Sequence, residues 1–113
     1  MISLTIAAMI MEPKDKESFY VPVSTEAFFK RCWEPGIKIL KLDLISLFPD
    51  PGVEVDKNHL SKLLNELHLL KEWAETERQL NEIDSGYLIN RINILHEKMH
   101  EAFRDENVVI YIG

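Results

Sequence analysis

The sequence predicts an α/β (α+β) protein, a two-layer sandwich with three helices packed on one face of a mixed sheet of about four strands. Three observations carry this. The chain opens with an apolar run that alternates with period two. Its middle and later parts hold two long segments with apolar residues at helical spacing. It closes on "NVVIYI", which is apolar on both faces and so belongs inside a sheet, under helices or another layer.

Each element has its own justification. In the first strand Ile2, Leu4, Ile6, Ala8 and Ile10 fall on one side, and Ser3, Thr5, Ala7, Met9 and Met11 on the other. "EPKDKES" at 12–18 reads as a loop. "FYVPV" at 19–23 is extended, and Pro22, lacking an N–H, suits an edge position or an early strand end. Ser24 or Thr25 caps a helix that begins "EAFFKRCW", with Phe28 and Cys32 four apart on one face. Pro35-Gly36 either stops that helix or kinks it on its way to about Leu40. Leu40, Leu42 and Leu44 alternate with Lys41 and Asp43, which predicts a strand ending near Phe48, and "PDPG" at 49–52 is a turn. Asp56 caps a helix with the stripe Leu60, Leu63, Leu64, Leu67, Leu70 and Ala74. A polar, mostly acidic segment follows at 75–85. Asp84 or Ser85 then caps a last helix to about Arg104, with the stripe Leu88, Ile92, Leu95, Met99 and Phe103. No repeat, low-complexity tract or domain boundary interrupts this order, so residues 1–113 form a single domain.

Composition narrows the function. A chain of 113 residues, 46% of them hydrophobic, has material for one core without a disulfide or a structural metal. Cys32 is the only cysteine, which suits a reducing compartment. The apolar N-terminal run has no lysine or arginine ahead of it and is about half a membrane span, so neither a secretory signal nor a membrane segment is expected, and a cytoplasmic location is. Nineteen acidic against thirteen basic side chains give a formal charge of -6. That balance argues against nucleic acid and favours a basic partner. The glycines at 36, 52, 86 and 113 are isolated, so no phosphate loop is present, and no G-x-S-x-G nucleophile turn occurs.

"HEKMH" at 96–100 matches H-E-x-x-H, in which two histidines on one helix face bind zinc and the glutamate acts as base. Such a site would use His96 and His100 as ligands, Glu97 as base and Glu106 as a third ligand. The context opposes it. The longer form of the pattern needs glycine where Phe103 continues the core stripe, and the shorter form takes its third ligand from a later helix, of which the sequence shows none. The preferred reading is two boundary histidines on an amphipathic helix, with no cofactor, no metal and no enzymatic activity. Cys32 reads as a buried small apolar residue rather than a nucleophile. His59 belongs to a solvated first turn, and His68 flanks the core stripe.

One anomaly points to binding. Leu69 and Trp73 lie four apart, outside the main stripe of their helix, beside Glu66, Glu72, Glu75 and Glu77, with Glu82 and Asp84 further on. Covered on a wide arc, both are core. Exposed, they form an aromatic anchor rimmed by carboxylates, which suits a protein interface. Trp33-Glu34 is a weaker pair of the same kind.

"FPDPGVEVDKNHLSKLLNELHLLKEW" at 48–73, followed by "YLINRINILHEKMHEA" and "VVIYIG", resembles small acidic α/β immunity proteins of bacteria, which bind and neutralise a cognate toxin. The resemblance lies in the succession of turn, Leu-rich helix, second helix and closing strand, and it carries over no functional residue. It implies a non-enzymatic protein-binding protein that occludes a basic toxin domain. A small homodimeric structural or regulatory protein is the other non-enzymatic expectation.

Overall fold

In the computed structural model, which describes residues 5–12, 19–76, 80–104 and 107–113, the sheet is built around the chain's first and last strands. Strand β1, Thr5–Glu12, keeps its predicted alternation, with Ile6 and Ala8 buried and Ile10 half-buried on the inner side. Ile2 and Leu4 lie outside the described residues. β2, Tyr20–Thr25, pairs antiparallel with β1, Met9 lying opposite Tyr20 and Ala7 opposite Pro22. The order across the sheet is β2-β1-β4-β3, where β3 is Val53–Val55 and β4 is Val109–Ile112. Pro22 therefore sits on an edge strand, where its missing N–H breaks no interior ladder. All three pairings are antiparallel, so the sheet is not the mixed one that the sequence predicts. β4 is interior, as the apolar run "NVVIYI" requires.

The helices cover one side of this sheet. Thr25 caps the first, its Oγ1 accepting from the Phe28 N–H at 3.2 Å. The chain then passes without a break through an α-turn Glu26–Phe28, a π-turn Phe29–Trp33 and an α-helix Glu34–Leu40; together these are α1. The wider π-turn, whose last hydrogen bond runs from Glu34 N–H to the Phe29 carbonyl, leads straight into Pro35. The helix continues past a residue that would ordinarily break it. Gly36 has a packing role. A Cβ there would lie 2.6 Å from Leu70 Cδ1 and 2.7 Å from Trp73 Cε3, so the α1 backbone lies directly against these two side chains.

The strand predicted at 40–48 does not form. Lys41 adopts a left-handed conformation (φ 57°), and the Lys41 and Leu42 N–H groups both donate to the Ile37 carbonyl. This is a helix stop, closed by burial of Leu42 and Ile37. A 3-10 turn follows at Ile45–Leu47. The period-two leucines are thus a helix end, a cap residue and the start of a turn. The third strand lies instead at Val53–Val55, just after Gly52, whose φ of 89° needs glycine.

The second long helix, α2, is Lys57–Thr76. The Asp56 carboxylate accepts from the Asn58 N–H at 2.9 Å and the His59 N–H at 3.1 Å. The His59 ring, 2.8 Å away, holds that carboxylate below its usual pKa, together with the backbone donors. Of the predicted stripe, Leu63, Leu67, Leu70 and Ala74 are buried, while Leu60 and Leu64 are half-buried. α3, Glu82–Ala102, starts earlier than expected. Its cap is Asn81, which accepts from the Asp84 N–H at 2.8 Å. Ser85, inside the helix, donates to the Ala74 carbonyl at 2.8 Å and ties the two helices together. The core unites Val21, Val23, Val55, Ile110 and Ile112 of the sheet with Phe29, Trp33, Leu63, Leu67, Leu88, Ile92 and Met99 of the helices. No described helix is long and apolar enough to cross a membrane.

Candidate partner-binding surface

His96 and His100 lie on one side of α3 with ring centroids 5.1 Å apart. His96 is half-buried at the edge of the stripe, and His100 and Glu97 are exposed. Partial burial pushes His96 below its ordinary pKa, helped by His100 on the same helix and by His68 and Lys71 on α2. Glu106, the third ligand of the zinc reading, lies outside the described residues. Among the described residues no three His, Cys, Asp or Glu side chains come together closely enough to hold a metal ion. His68 is engaged with Glu72 instead, at 2.6 Å one turn along α2. Cys32 is fully buried.

The predicted anchor on α2 is dispersed by the packing. Leu69 and Trp73 are half-buried and packed against the core, and the Trp73 ring faces Gly36 of α1. Trp33 is wholly inside, its ring stacked on Phe29 with centroids 5.4 Å apart. Glu66 is no rim residue: it is 4% exposed. Its carboxylate accepts from the Leu44 N–H at 3.0 Å and the Ile45 N–H at 3.1 Å, where the 3-10 turn begins. A buried carboxylate that satisfies two backbone donors is a structural cap supplied from another helix. Glu72 and Glu75 are exposed, and Glu77 lies outside the described residues.

The surface that remains open is the outer face of the sheet. Alternation that points Ile6, Ala8, Val21, Ile110 and Ile112 inward points Met9, Tyr20, Pro22, Glu54 and Tyr111 outward. The pairings place Tyr20, Met9, Tyr111 and Glu54 side by side in one row across all four strands. Within this row Tyr20 and Glu54 are exposed, while Met9 and Tyr111 are half-buried. Tyr20 is 56% exposed and Met11 46%. The Tyr111 ring is held in place, its hydroxyl donating to the Pro51 carbonyl at 2.8 Å. A Cβ on Gly52 or Gly113 would collide with that ring, so two glycines make room for it. Val109 and Glu12 share the same face. Its described charges are both carboxylates, Glu12 and Glu54.

Sequence reading missed this surface, although a signal was present. The outward positions of three strands carry Met9, Tyr20 and Tyr111, side chains too apolar for a face meant only for water. A smaller exposed patch joins α1 and α3, where Ile83 is 84% exposed and Tyr87 meets Phe28 edge-on at 4.9 Å. Beside it Arg31 pairs with Asp84 at 3.2 Å. No protein-family model, curated protein or solved structure matches the chain.

Proposed function

We propose that this chain is a non-catalytic binding protein of immunity type, which works in the reducing cytoplasm and docks a basic partner protein on the outer face of its sheet. The observation that supports this is the combination on that face. Tyr20 lies exposed beside half-buried Met9 and Tyr111, and the described charges among them are negative. Aromatic side chains supply affinity at low entropic cost, and charges of one sign supply rate and orientation. The overall charge of -6 acts in the same direction. A toxin domain that must itself attract an acidic substrate would present the complementary surface, and occupying that surface would silence it.

The test is capture on the immobilised protein from its native cells, elution along a salt gradient, and measurement of the purified partner's affinity at several ionic strengths. The expected result is a basic protein whose affinity falls as salt rises, and whose own activity stops when the chain is added. A partner of acidic or neutral surface, or an affinity indifferent to salt, would overturn the reading. So would a tight homodimer in sedimentation that buries the sheet face.

A further inference from the structure

The row Tyr20–Met9–Tyr111–Glu54 has a chemistry more specific than negative charge, and we infer that it recognises arginine side chains of the basic partner. The inference rests on the proposed function and names the group that the sheet face selects. Neighbouring strands are about 4.8 Å apart, so the two tyrosines stand roughly 10 Å apart with Met9 between them. Glu54 follows one strand beyond Tyr111.

A guanidinium is flat and weakly hydrated. It lies on an aromatic face and still directs its N–H fork sideways to a carboxylate. Half-buried Tyr111 and exposed Glu54 stand opposite each other on adjacent strands and supply one group of each kind. The hydroxyl bond to Pro51 fixes the Tyr111 ring before any partner arrives, so less order is lost on binding. Tyr20, on the edge strand and more than half exposed, offers a second ring to a neighbouring arginine. An ammonium group is compact and strongly hydrated, and it would gain from the carboxylates but little from the rings.

The occupant is therefore a basic protein segment and not a second copy of this chain. A second copy would bring its own Glu12 and Glu54 to a face whose described charges are already negative, and offers no guanidinium from the same row. The α1–α3 patch at Phe28, Ile83 and Tyr87 is the weaker candidate, because the charges around it have both signs, with Arg31 paired to Asp84 and Glu82 and Arg91 nearby on α3.

The experiment titrates the full chain, at low salt, with hexa-arginine and with hexa-lysine peptides of equal charge. The arginine peptide is expected to bind more tightly. Tyr20→Leu, which keeps the fold because the ring is exposed, should weaken it by about threefold with little effect on the lysine peptide. Glu54→Gln should weaken both, the arginine peptide more. Glu101→Gln, on α3 and away from the row, serves as control and should change neither. Equal binding of the two peptides, or arginine binding untouched by Tyr20→Leu and Glu54→Gln together, overturns the arginine reading and leaves the basic-partner reading standing. Binding of neither peptide overturns both. A dimer that blocks the peptides and is dissolved by Tyr20→Glu overturns it in favour of a second copy.

Discussion

The two faces of one sheet are made from different chemistries. On the inner face Val21, Val23, Val55, Ile110 and Ile112 are buried against three helices. On the outer face Tyr20, Met9, Tyr111 and Glu54 occupy the alternate positions of the same strands. β-Branched aliphatics are stiff and fill a pleated, dry surface well. Tyrosine, methionine and glutamate are poorer filling and better contact groups. The difference teaches that alternate positions of the same strands meet two surroundings, a dry core on one side and a more polar outer face on the other.

The largest effect should come from the inner face. Ile110→Ala removes a fully buried side chain from the central strand β4 and should cost about 2–5 kcal/mol in urea unfolding. Tyr20→Thr on the outer face should stay within ~0.5 kcal/mol of the parent. Equal losses at the two positions would break the comparison.

The two kinds of glutamate sharpen it next. Glu66→Ala strands the Leu44 and Ile45 N–H groups away from water and should cost about 2–4 kcal/mol. Glu54→Ala, on an exposed site, should leave stability nearly unchanged and show its effect in binding. Smaller again is Gly36→Ala. A methyl there presses on the Trp73 ring and Leu70, a strain of about 1–3 kcal/mol, offset in part by the ~1 kcal/mol that alanine gains over glycine in a helix. A net loss of stability would show that the helical layer has no slack; a gain would show that α1 can shift.

The smallest effect is a pH dependence from the helical layer. His96 has a lowered pKa in the folded chain, so the unfolded chain binds its proton first as pH falls. The stability contributed is complete above about pH 6.5 and is lost as pH drops through the lowered folded value. Melting temperature should therefore decline modestly on acidification through that window, and His96→Asn should flatten the decline. Asp56 acts with the same sign at lower pH, below the usual carboxylate range, where its cap on α2 is lost.

How much of this was legible follows from the range of each interaction. α2 could be read because its stripe and its Asp56 cap are local. The helix stop at Lys41 could not, because Leu40, Leu42 and Leu44 alternate as a strand would and only the fold shows Leu42 turned back onto Ile37. β3 escaped because three residues carry no period. Glu66 looked like a solvated charge because its partners lie twenty-odd positions earlier, in a turn that the pattern did not reveal. The sheet's outer face needed the strand order, which brings Tyr20 and Tyr111 from opposite ends of the chain to either side of Met9. The outer positions of β4, Val109 and Tyr111, are half-buried, and it is the Pro51–Gly52 turn rather than a further layer that meets Tyr111.

The place of β4 has a consequence for how the molecule comes into being. β4 follows the other described elements in sequence yet lies between β1 and β3, and among the described residues it is the only sheet neighbour of β3. While a nascent chain lacks residues 109–112, its sheet amounts to the β1–β2 hairpin, a unit of marginal stability in water, and a lone three-residue segment. The α2–α3 hairpin needs only nearby residues and can form meanwhile, but its apolar stripe has no finished sheet to meet. Until that strand is present, the inner side of the sheet lacks Ile110 and Ile112 between β1 and β3. A variant lacking residues 109–112 should therefore lose the cooperative unfolding transition of the parent chain.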